Sequence, residues 1–245
     1  LEIYKDRFGD AGDFTFVFTG SFTVDEIAPL ISKYLGSLPS KGRKENYKNL
    51  KIESPKGLIS KTVYKGKEDK ATVLMLFDGK YEATQGNTLA MRALKQVLSY
   101  RLVERLRENE SGVYSPGVSV SINPLPSPRF SYSINFGCST DKVDQLIKAT
   151  LEEIDKLQTK GISEEDLNKF KIEEKRQNEV KLRNNGYWLG YLSDSYKNLE
   201  DPKNMLAEDT LLNKLSAKDI QGIAKQLLNT KSFKRFVLMP ESAKK

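Results

Sequence analysis

The chain has 245 residues, 38% hydrophobic and 30% charged, the make-up of a globular protein with enough apolar mass for a sizeable core. Its formal net charge of +7 makes an acidic partner worth testing, yet bases and acids are interspersed for most of the length. With no histidine and one cysteine, the sequence excludes Ser-His-Asp and Cys-His nucleophiles, any His-containing zinc site, a thiolate metal cage and an internal disulfide. No G-x-x-x-x-G-K-[ST] loop or G-x-G-x-x-G turn is present to cradle phosphates, and most Asp and Glu fall at helix starts or on polar helix faces. No run approaches the roughly 18 apolar residues that a membrane span requires. The opening LEIYKDRFGD lacks a signal-peptide core and an initiator Met, so the chain reads as a processed or excised piece of a longer protein.

In chain order, the first predicted element is a strand, Phe14-Thr15-Phe16-Val17-Phe18, whose three Phe alternate. Thr23-Val24-Asp25-Glu26 has the form of a capping box and opens a helix carrying Ile27, Leu30, Ile31, Tyr34 and Leu35, which Gly36 stops. A polar connector over about 40–57 follows, with the densest basic run, Lys41-Gly42-Arg43-Lys44. No RNA- or DNA-binding module accompanies that run, so it reads as a solvated linker rather than a nucleic-acid site. Ile59 to Lys65 is a strand of mixed polarity; Thr72 to Phe77 is continuously apolar and reads as a strand buried on both faces.

A long helix is predicted from about Thr84 to Arg107, its stripe formed by Ala90, Leu94, Val97, Leu98, Leu102 and Leu106. Gly112 would supply the positive φ of its exit. Tyr114 then opens a strand over Ser115 to Ile122, so a guanidinium, Arg107, and a phenol, Tyr114, are offered at the same end of a helix and strand pair. Asn123 to Pro128, with three prolines, is a loop, and Phe130 to Cys138 is the clearest alternating strand, pairing antiparallel with its predecessor. Cys138 falls on its apolar phase and reads as a packed thiol.

Helices are predicted from Thr140 to Gly161, from the Ser163-Glu164-Glu165-Asp166 cap onward, and from Ser216 to Leu228. Tyr187, Trp188, Leu189, Tyr191, Leu192 and Tyr196 form an aromatic cluster whose spacing fits a buried helix, so core packing is expected of it. Phe233 to Met239 is a closing strand. The order implies an α+β fold, a mostly antiparallel sheet backed by helices, in a single domain over 1–245 with an internal connector at about 40–57. A strand and a helix ahead of that connector could not bury a core alone.

Taken together, YLGSLP (Tyr34 to Pro39), LRENESGVYS with Arg107 seven residues before Tyr114, ISEEDLNKFK (Ile162 to Lys171) and LSAKDIQGIAKQLL (Leu215 to Leu228) are similar to a known family. The chain resembles the pitrilysin and insulin-degrading enzyme family of inverted zincins, with the mitochondrial processing peptidases and the respiratory-complex core proteins. The resemblance covers nearly its whole length. It implies a processing-peptidase-like metallohydrolase fold in a protein of two homologous halves, with zinc held in the amino-terminal half by an H-x-x-E-H helix and a downstream Glu.

This chain has no such motif, and so resembles a domain of the second, non-metallated half: no cofactor of its own, no catalytic residue of its own, and no hydrolysis by itself. The resemblance gives Arg107 and Tyr114 the role of substrate binding, both donating hydrogen bonds to a peptide carbonyl or its developing oxyanion. The implied function is a non-catalytic, substrate-binding and chamber-closing domain of a zinc metalloendopeptidase, partnered by the zinc-binding half and a peptide, in the bacterial periplasm or cell envelope. The alternative is a catalytically inactive structural homologue like the respiratory core proteins. Neither nucleic acid nor a membrane span is expected.

Overall fold

Two capping boxes fix where helices begin. Thr23 Oγ1 accepts from the Glu26 N–H while Glu26 Oε2 accepts from the Thr23 N–H at 2.8 Å, and Ser216 and Asp219 repeat the exchange. Each satisfies donors that a helix start otherwise leaves orphaned. The computed structural model describes residues 1–110, Val113 and residues 115–244; the predicted exit glycine, Gly112, lies outside the described residues, as does Tyr114. The chain divides into two compact units: Leu1–Leu50 with Arg176–Leu206, and Lys51–Lys175 with Ala207–Lys245.

The larger unit holds a five-stranded sheet in the order β1-β5-β2-β4-β3, built from β1 (Ile59–Tyr64), β2 (Ala71–Lys80), β3 (Gly117–Asn123), β4 (Arg129–Cys138) and β5 (Lys234–Met239). β1 and β5 run parallel; the other pairs are antiparallel, so the α+β class with a mostly antiparallel sheet holds. Register pairs Ala71 with Cys138, Val73 with Phe136, Met75 with Ile134 and Phe77 with Tyr132, placing large apolar side chains opposite one another on one face. That face is buried, with Val73, Met75, Phe77, Tyr132 and Ile134 fully inaccessible.

Helices α3 (Gln85–Leu102), α4 (Val143–Lys160) and α8 (Ala217–Leu227) pack with one another, and α3 also lies against β3 and α8 against β2. They cover the apolar face through Leu94, Leu98, Leu102, Leu146, Ile154, Ile220 and Ala224. The expectation that Thr72 to Phe77 is buried on both faces is corrected. Thr72 is exposed and Leu74 and Leu76 are half-buried, because helices cover only one side of β2. The continuous apolar run arises because Leu74 sits opposite Phe236 on β5, which gives the outer face a local apolar patch.

Helix α5 (Glu164–Lys181) begins in the larger unit, where Leu167 and Phe170 are buried, and its residues from Arg176 onward belong to the smaller one. The short helix α7 (Glu208–Lys214), not expected from the sequence, packs against α3. Arg92 bridges Glu174 at 3.1 Å and Glu208 at 2.9 Å.

The smaller unit contains α1 (Glu2–Phe8), α2 (Val24–Tyr34) and α6 (Asn185–Asn198). α1 was not predicted. The strand predicted at Phe14–Phe18 is absent: the segment is irregular and belongs to no sheet among the described residues. Its alternation is present but its ladder partner is not. The aromatic cluster of α6 is not core either. Leu189 and Tyr196 are exposed and Tyr187, Trp188 and Tyr191 half-buried, because this unit has no sheet for the helix to pack on. Their polar ends are tied locally: Trp188 Nε1 donates to the Leu182 carbonyl at 2.9 Å, and Tyr191 Oη donates to the Pro202 carbonyl at 2.8 Å. The connector has no regular structure over 39–57. It is held at Asp10, whose carboxylate accepts from the N–H groups of Lys41 and Gly12. Those bonds, the Lys41 one foremost, hold the Asp10 carboxyl below its usual range.

Candidate functional site at the end of helix α3

Helix α3 does not reach Arg107 as a regular α-helix. It ends at Leu102, and Val103–Asn109 widens into a π-helical segment, closed by the Glu110 N–H donating to the Arg105 carbonyl at 3.2 Å. Such segments are rare and are found disproportionately at functional sites. The apolar phase continues through the wide turn, so Leu106 is fully buried while Arg107 beside it is exposed. Sequence periodicity followed the apolar phase correctly but could not detect the change in winding, since both helices keep Leu106 inward.

The segment is pinned by groups that the sequence reading missed. Arg105 is half-buried and reaches Glu110, Glu152 at 3.2 Å and Glu153 at 3.9 Å. Lys142 Nζ donates to the Glu110 carbonyl at 3.0 Å, and the Gln145 side-chain amide donates to the Glu110 carboxylate. Glu110, which read as part of a polar exit run, is therefore a clamp between the end of the wide turn and the start of α4. One signal could have exposed it: a basic residue two positions before Arg107 on the half-buried side of the helix implies acidic partners on the packing helix.

Of the two predicted substrate-binding residues, the structure places Arg107 on the exposed side of this pinned turn. Tyr114, the other, lies outside the described residues. The pinned turn carries Arg107 on its exposed side, and beyond it the chain re-enters the sheet at Gly117. A Cβ at Gly117 would meet the side-chain oxygen of Asn135 on the paired strand, which would have to turn aside.

The chain's residues do not fit zinc. There is no imidazole, and among the described residues no group of three or more Cys, His, Asp or Glu side chains is placed to hold a metal. Cys138 is buried on β4, and burial, with the Asp141 charge second, pushes its thiol up to about 11, far from thiolate chemistry. A separate cleft of about 470 Å³ opens between the start of α3, α7 and α8, floored by Leu89, Leu215 and Ile223. Its Asp219 already closes the α8 capping box. Among the described residues, no helix is long and apolar enough to cross a membrane.

Comparison with known proteins fits this geometry. The chain is 25% identical over 233 residues to the probable zinc protease PqqL of Escherichia coli, covering 92% of itself but only 24% of that protein. The crystal structure of the periplasmic protease PqqL from Escherichia coli superposes on 90% of the chain with a TM-score of 0.77 at 24% identity, again spanning 24% of that protein. The structure of the first half of the same protease matches 90% of the chain with a TM-score of 0.67 at 14% identity, covering 50% of that half. The family model of the peptidase M16 inactive domain matches residues 1–174. The chain belongs to the peptidase M16 inactive domain family.

Proposed function

We propose that the chain is the substrate-binding, chamber-closing part of a zinc metalloendopeptidase of the periplasm, non-catalytic by itself. The observation that carries this reading is the family match over residues 1–174 in a chain without histidine, set beside a zinc-protease relative four times its length. Zinc belongs, in this reading, to the other half of the protein. That the first half of PqqL shares the fold supports a partner built on the same plan.

This chain's share of the chemistry is hydrogen-bond donation. Arg107, presented by a turn that Arg105, Lys142 and Gln145 immobilise through Glu110, gives the peptide carbonyl a charged donor, and Tyr114 adds a hydroxyl seven residues on. A donor held in place before substrate arrives costs no reorganisation as negative charge develops on the carbonyl oxygen.

The test is in the complete protein. Arg107→Ala and Tyr114→Phe should each lower peptide turnover on the order of 10²-fold, the usual loss for one oxyanion donor, with zinc content unchanged. Undiminished cleavage by both variants would remove these residues from the mechanism. Cleavage by the isolated 245-residue chain would overturn the assignment of zinc to the other half.

A further inference from the structure

The net charge of the chain is concentrated in one stretch. Residues 41–70 hold ten Lys and Arg against four Asp and Glu, so +6 of the overall +7 lies in these thirty residues and the remainder is close to balanced. Three of the four acids are already engaged: Glu45 with Arg7 and Arg43, Glu53 with Lys80 at 3.0 Å and Arg129 at 3.6 Å, and Glu68 with Lys70. Lys44, Lys48, Lys61, Lys65 and Lys67 are exposed and make no ion pair among the described residues.

The irregular connector adds an apolar component to this charge. Tyr47, Leu50 and Ile52 are 61%, 64% and 77% exposed, interleaved with Lys44, Lys48 and Lys51. Charge alone keeps a linker extended and hydrated. Large apolar side chains among the lysines add nothing to that and favour a surface that covers them.

We infer that the connector binds the surface of an anionic lipid bilayer, with Lys44 and Lys48 meeting lipid phosphates while Tyr47, Leu50 and Ile52 enter the headgroup layer. Polybasic attraction and shallow apolar insertion are each marginal alone and together give reversible attachment. The composition selects this occupant. Nine of the ten cations are Lys, a compact charge that needs no fixed partner geometry, and Arg43, the one guanidinium suited to bidentate recognition, is held by Glu45. Single-stranded nucleic acid calls for a row of aromatic platforms, where the connector offers Tyr47 alone. A folded protein partner needs a surface of fixed shape, and residues 39–57 have no regular structure to provide one, whereas a fluid bilayer adapts to them. The inference is independent of Arg107, Tyr114 and the peptidase reading.

Co-sedimentation of the complete protein with vesicles tests it. Phosphatidylcholine vesicles carrying phosphatidylglycerol at about one lipid in three should pellet the protein, pure phosphatidylcholine should not, and about 0.5 M salt should release it. Lys44→Ala combined with Lys48→Ala should weaken partition about 25-fold, roughly fivefold for each lysine. Tyr47→Ser combined with Leu50→Ser and Ile52→Ser should also weaken it while leaving the salt dependence in place. Peptide turnover in solution should be unchanged in both variants. Equal binding to neutral vesicles, or unchanged partition of both variants, would overturn the proposal. Binding to duplex DNA or polyglutamate with none to vesicles would do the same and name a different partner. Turnover lost together with vesicle binding would also overturn it, because the connector would then serve the fold rather than a surface.

Discussion

Single residues set the limits of several elements here for distinct reasons. Gly161 ends α4 with φ 74° and ψ −155°, a conformation that essentially only glycine adopts. A Cβ there would meet Gln221 only at ordinary contact distances, so backbone strain rather than crowding fixes the residue. Gly161→Ala should lower stability by about 1–3 kcal/mol in urea unfolding with an unchanged slope; an unchanged midpoint would refute the strain account. Cys138 was legible as a packed thiol from alternation alone, and its environment confirms it. Because burial raises its pKa, the thiolate is scarce below about pH 11 in the folded chain, whereas in the unfolded chain it forms from about pH 8.5. Ellman's reagent at pH 8 should therefore react with it only after denaturant is added. Rapid reaction in buffer would mean that β4 opens readily.

At the scale of elements, the sequence was most informative where one face is buried against helices. β4, α4 and α8 appear close to where periodicity put them, since burial on one side is what produces the alternation of β4 and the stripes of α4 and α8. It was misleading where the partner is missing or the winding changes. Phe14–Phe18 has a strand's alternation without a ladder, and the α6 aromatics have core composition without a core. Neither fact is carried by the residues themselves. The site was legible in part: Arg107 was placed at the helix end, but the π-helical turn and the Glu110 clamp depend on Arg105, Lys142 and Gln145, which meet only through packing of α3 on α4. That clamp makes its own prediction. Arg105→Met keeps the half-buried aliphatic stem but releases Glu110, and in the complete protein it should lower peptide turnover about tenfold through loss of positioning. Zinc content should hold, and the melting temperature should fall by no more than a few degrees. Unaltered turnover would show that the turn is held by Leu106 and its neighbours instead.

At the scale of the molecule, the sheet depends on the end of the chain. β5 lies between β1 and β2, with Val237 buried opposite Val73 on one side and Thr62 on the other. Val237→Asp would bury an unpaired carboxylate at this junction and should cost more than about 4 kcal/mol, enough to abolish cooperative melting followed by circular dichroism. Retention of a sharp transition would mean that β1 is dispensable to the larger unit.

The same placement orders events during synthesis. Ser60 and Arg235, neighbours across the β1–β5 pair and joined by a hydrogen bond of 2.9 Å, are 175 positions apart. On the ribosome, β1 and the unfilled edge of β2 must wait for the 175 positions up to β5 before either is paired, while β2, β3 and β4 can associate earlier. The edges of β1 and β2 thus stay open while those 175 positions are made, the condition under which a chaperone that shields them has most to offer.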